Sequence, residues 1–157
     1  MAKINTIQIS NSKLVKVIMA GILGTFAFDV AMYVDIAVTG VPLDIVGLLG
    51  KLTVGESEHA QLVGHVIHFA NGIGLALLFG YVALPISKKI MNLPIIVYAI
   101  VFSVVENTIA VWFVMLPALG AGVAGVNIAP EVAVMTLSRH IVFGAILGLV
   151  LRKESTR

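Results

Sequence analysis

Four long apolar stretches, roughly 14–38, 60–84, 93–116 and 131–151, constrain this chain more than any other feature. Each holds about 20 residues or more, enough to cross ~30 Å of hydrocarbon at ~1.5 Å per residue. In lipid every backbone polar group must find its partner inside the protein, which leaves helices or a closed barrel. The strict alternation of a barrel is absent, so the pattern predicts an all-α, integral membrane four-helix bundle. It forms a single transmembrane domain over residues 1–157. Composition agrees: 11% of residues are charged and mean hydropathy is +1.07. A soluble domain carries about a quarter charged residues, so most of this surface is expected to face lipid. The first stretch is too long for a cleaved signal peptide and reads as a retained anchor.

Orientation follows from the basic residues. The N-terminal arm carries Lys3, Lys13 and Lys16, Lys88 and Lys89 link spans two and three, and Arg152, Lys153 and Arg157 form the tail. The other two loops hold only Lys51. The positive-inside rule therefore predicts both termini to be cytoplasmic. In the first outer loop, 39–59, Pro42 is expected to open a short interfacial or re-entrant helix, with Leu43, Val46, Leu49 and Leu52 as its apolar stripe. Glu56, Glu58 and His59 read as a solvated loop end. The loop 117–130 is rich in Gly and Ala and uncharged, and is expected to lie against the membrane or a partner.

Several activities are excluded or unsupported. With no cysteine there is no disulfide, thiolate metal site or thiol nucleophile. A net charge of +2, with the basic residues at helix ends, is not a nucleic-acid footprint. No phosphate loop, dinucleotide fingerprint or nucleophile motif occurs, so no enzymatic activity is expected.

Ionisable residues inside a membrane are costly and mark function or a buried partner. Here they are Asp29, His65, His68, Glu106, Arg139 and His140. Asp35 stands near the outer end of span one and is expected to reach water. At ~1.5 Å per residue, Asp29 and Glu106 lie about 20 Å from the inner ends of their spans. His65, His68 and His140 lie roughly 8–14 Å below the outer ends of theirs, so all five are expected in one outer-middle layer. His68 and His140 head rows of small residues at four-residue spacing, the signature of close helix approach, and Asp29 closes a similar row. The rows are His68, Gly72, Ala76, Gly80 in span two; His140, Gly144, Gly148 in span four; and Gly21, Thr25, Asp29 in span one. Ser103, Glu106, Asn107 and Ala110 give span three a polar face. Spans two and four share the His-Gly-small register, while spans one and three each carry one carboxylate. This suggests two similar hairpins about an axis along the membrane normal.

His65, His68, His140, Glu106 and Asp29 are the candidate ligands of a transition metal such as zinc, iron or copper, because imidazole and carboxylate suit those ions. His68 and His140 alone would be the ligands of a haem. Two further readings stand beside these: a structural network in which Asp29 or Glu106 balances Arg139, and a proton or ion path. Trp112 reads as an interface anchor.

Gly21 and Gly24, Pro42 and Asp44, His65, His68, Gly72 and Tyr81, and Pro117, Gly120, Gly122, Gly125, His140, Gly144 and Gly148 carry a resemblance. In this arrangement the chain resembles the small four-span inner-membrane proteins of the YagU-like, domain-of-unknown-function type of bacteria and archaea. The resemblance covers most of the chain. It implies a four-helix fold with inward-facing histidines, in a prokaryotic inner membrane, and no established activity. The function expected is that of a small polytopic protein in the bilayer, an accessory subunit of a larger membrane complex, redox-active among the options, or a homo-oligomer. The alternative is a stand-alone metal or haem carrier or a minimal proton-coupled transporter.

Overall fold

The computed structural model describes residues 11–152. Lys3, Lys153 and Arg157, used in the orientation argument, lie outside the described residues. Within them there are helices and turns and no strand. Four helices are long and apolar enough to cross a bilayer: α1 (Asn11–Thr39), α3 (Ala60–Ile90), α4 (Ile95–Ala118) and α5 (Val132–Leu151). This is the arrangement of a multi-pass membrane protein. A short helix, α2 (Ile45–Val54), joins α1 to α3, and a single 3-10 turn, Val123–Gly125, interrupts the link between α4 and α5.

Two of the long helices run past the prolines at which a sequence reading ends them. Pro85 and Pro117 cannot donate to the carbonyl four residues back, and in a water-soluble helix each would end or kink it. Here a π-helical segment, Phe79–Ala83, closes two residues before Pro85, and another, Asn107–Met115, closes two residues before Pro117. Widening the turn is one way a membrane helix absorbs the missing donor. Span two therefore extends to Ile90, and Lys88 and Lys89 belong to its last turn rather than to a loop.

Neighbouring helices run antiparallel. α1 packs on α3 and on α5, and α5 packs on α4. The small-residue rows form these contacts as expected. A Cβ on Gly21 would lie 2.8 Å from the Ile73 Cα, and one on Gly148 would lie 2.4 Å from the Ile96 Cα. α3 and α4 come together at one end, where Phe79 and Phe102 meet with ring centroids 5.4 Å apart. The other half of their seam is held apart.

The two ends of the bundle differ in charge. Lys13, Lys16, Lys88, Lys89 and Arg152 gather at the end where α1 begins and α5 finishes, and no described acidic residue lies there. At the opposite end α2 packs on α3 through backbone. Val46, Gly47 and Gly50 are its buried positions, whereas Leu52, expected in its apolar stripe, is 63% exposed. Glycine lets the two helices approach this closely: a Cβ on Gly50 would stand 1.7 Å from the Ala60 carbonyl oxygen. Asp44 rather than Pro42 starts α2, accepting a hydrogen bond from the Gly47 amide at 2.9 Å as its N-cap. Its other oxygen accepts from Gln61 Nε2 at 3.3 Å, tying the cap to α3. Glu56, Glu58 and His59 are exposed, as read from the sequence.

Candidate functional site

The five ionisable residues expected in one layer resolve into two groups, one in each hairpin. In the first, Asp29 on α1 receives both histidines of α3. His68 Nδ1 lies 2.8 Å from Asp29 Oδ1, and His65 Nδ1 lies 3.3 Å from Asp29 Oδ2. A carboxylate only accepts, so Nδ1 of His68 is the donor and its Nε2 is left as the free ring nitrogen. His65 is the more exposed of the two.

In the second group His140 on α5 faces Glu106 on α4. His140 Nδ1 lies 2.7 Å from the carbonyl oxygen of Thr136, one turn back on the same helix. A carbonyl cannot donate, so Nδ1 carries a hydrogen, and Nε2 is the atom turned to Glu106 Oε2 at 3.0 Å. That approach is close but lacks hydrogen-bond alignment, and Glu106 Oε2 is buried without a hydrogen-bonded partner among the described residues. An attractive contact there needs a proton on either the imidazole or the carboxyl. The adjoining Asn107 is 0% exposed, and neither atom of its amide is hydrogen-bonded among the described residues. The result is a buried polar pocket at the start of the π-helical segment Asn107–Met115.

Phe28 on α1 stands between the groups. Its ring meets His68 edge-on at 4.8 Å between centroids and His140 at 5.1 Å. Both histidines border a cavity of about 140 Å³ in the open half of the α3–α4 seam. Glu106, Thr136 and Arg139 contribute polar groups, and α2 supplies apolar cover through Ile45, Leu48 and Leu49. Asn71 lines the cavity and is itself exposed, so the cavity reaches the surface of the bundle along α3. A second space of about 40 Å³, bordered by Thr25, Asn71 and the same two histidines, is large enough for a water molecule. No group of three or more His, Asp or Glu side chains among the described residues converges as a metal site.

Two sequence expectations need correcting. Arg139 is balanced by Asp35, not by Asp29 or Glu106. Its Nε and NH2 donate to the two Asp35 oxygens at 2.6 and 2.5 Å, and NH1 donates to the Leu43 carbonyl at 2.9 Å. Asp35 keeps 19% of its side chain exposed but is held in the fork of Arg139, because a guanidinium that is 1% exposed requires a counter-charge. The signal was in the sequence: both residues stand within two turns of the same end of the bundle. Trp112 is turned inward, donating from Nε1 to Thr136 Oγ1 at 2.9 Å, where an interface anchor would face lipid. Phe28, Asn71 and Thr136 were not singled out, since an apolar ring or a lone Asn or Thr in a membrane span carries no motif.

No curated protein and no solved structure matches the chain. A family model matches it over residues 12–157, which takes in all four long helices, the small-residue rows and both acid–histidine groups. The chain belongs to that family, DUF6789, a family of unknown function.

Proposed function

We propose that this is a small, non-enzymatic membrane protein that binds a lipid-soluble molecule with a single-ring polar head, of the quinone or phenol class. The observation that carries this reading is the cavity of about 140 Å³ bordered by two histidines whose Nδ1 atoms are already engaged. An apolar cavity of about 150 Å³ accommodates benzene, so the volume suits one ring. His68 offers Nε2, an acceptor for a hydroxyl when neutral and a donor to a carbonyl when protonated, while His140 Nε2 faces Glu106 Oε2 at 3.0 Å beside it. The open half of the α3–α4 seam is the entrance, reached from the hydrocarbon rather than from water.

Such a protein works as an accessory subunit of a larger membrane complex, redox-active in its partners, or as a homo-oligomer. The location is a prokaryotic inner membrane with both termini cytoplasmic, supported by the gathering of lysines at one end. Kinship with YagU-like proteins rests on the shared residues alone.

A transition metal, zinc, iron or copper, is the second reading. It is favoured by the Asp29 carboxylate behind the His65 and His68 rings, the arrangement that orients a metal-binding imidazole. Haem on His68 and His140 would have to displace Phe28 from between them.

The chain's single tryptophan, Trp112, is bonded to a residue of the cavity wall and serves as the reporter. Titrating a short-chain benzoquinone into the purified protein should give saturable quenching of its fluorescence. His68→Ala with His140→Ala should weaken the apparent affinity at least about tenfold, the loss of one or two buried hydrogen bonds. Non-saturating quenching that is identical in both proteins would falsify the ring-binding reading. Stoichiometric metal in the purified protein, lost in the same variant, would replace it with the second.

A further inference from the structure

We propose that the basic end of the bundle holds a second site, for the phosphate group of an anionic membrane lipid. It is a cavity of about 230 Å³ where α1, α3 and α5 converge. Lys13 borders it from α1 and Lys88 from the last turn of α3, while Val17, Leu84 and Leu151 give it apolar walls. Two ammonium groups over an apolar cleft match the two parts of a lipid, a phosphate and the upper acyl chains. Basic pockets between membrane helices bind anionic headgroups in this way.

Two observations support a built site rather than two stray lysines. Lys13 Nζ lies 4.7 Å above the ring of Tyr81, so its position is fixed while its N–H groups stay available to an anion. Lys16, Lys89 and Arg152 add positive charge at the same end of the bundle. The shape of α3 contributes as well. The π-helical turn Phe79–Ala83 and Pro85 carry the chain on for a further turn, which brings Lys88 to the cavity.

The test is native mass spectrometry of the full chain released from mixed phosphatidylglycerol and phosphatidylcholine bilayers. The protein should retain phosphatidylglycerol in preference. Lys13→Gln with Lys88→Gln should reduce that preference by roughly thirtyfold, the electrostatic contribution of two lysines at a membrane surface. Lys13→Arg with Lys88→Arg keeps the charge and should keep the preference, as should Lys51→Gln at the opposite end. Equal retention of the two lipids by the unaltered chain overturns the proposal. So does an unchanged preference in the double Gln variant, or loss in the double Arg variant equal to that in the Gln variant. Inorganic phosphate separates the two sources of the same chemistry: displacement of the lipid by millimolar phosphate, with phosphate retained in its place, assigns the site to a soluble anion and overturns the lipid reading.

Discussion

Arg139→Leu should lower the stability of the purified protein by about 3–5 kcal/mol, the cost of leaving one member of a buried ion pair without the other. Asp35→Leu should do the same. Arg139 is 1% exposed on its side chain and binds both Asp35 oxygens as well as the Leu43 carbonyl. Its loss strands a carboxylate and a carbonyl at once. The informative variant is the double one. Asp35→Leu with Arg139→Met removes both charges, and replacing a buried pair by apolar side chains of similar volume is often neutral or stabilising. Recovery of most of the lost stability in denaturant titration is therefore expected. Were the double variant as unstable as Arg139→Leu, the bond to Leu43 rather than the ion pair would be the dominant contribution.

Gly64→Val should release α2 from α3. A Cβ at position 64 would stand 1.9 Å from the Val46 carbonyl oxygen, and that oxygen belongs to a helix backbone that cannot rotate away. Overpacking of this kind costs about 1–3 kcal/mol when side chains can yield, and more when they cannot. Since α2 supplies Ile45, Leu48 and Leu49 to the cavity, the same variant should weaken benzoquinone quenching of Trp112. Trypsin should cut faster after Lys51, which is exposed at the end of α2. Gly74→Val is the control, because a Cβ at that position meets nothing within 4 Å. Equal cleavage of the two variants would mean that α2 is not held by this contact.

Much of this protein is legible in its sequence because lipid is so restrictive a solvent. Length and hydropathy alone find the four long helices, and four-residue rows of glycine and alanine find the faces on which they pack. Depth brings Asp29, His65, His68, Glu106 and His140 to one level, but does not give the pairing of Asp29 with His68 and of Glu106 with His140. Helix ends were harder. A proline inside an apolar run reads as a stop, yet two π-helical segments carry α3 and α4 past theirs. Asp35 was set aside because depth arithmetic treats a residue near a helix end as wetted. It cannot know that Arg139 arrives from another helix to claim it.

Four membrane-length apolar helices were determined by the sequence by itself: unsatisfied backbone is not tolerated in hydrocarbon, and no other structure fits stretches of that length and pattern. The division of one expected layer into two groups was decided only by the tertiary structure. Phe28 fills the space between the histidines, and α3 and α4 separate beyond Phe79, because small-residue rows draw α1, α3, α4 and α5 together pairwise and leave that one seam open. Which side chains share a cavity depends on helix rotation and spacing, and those are set by contacts between residues far apart in the chain.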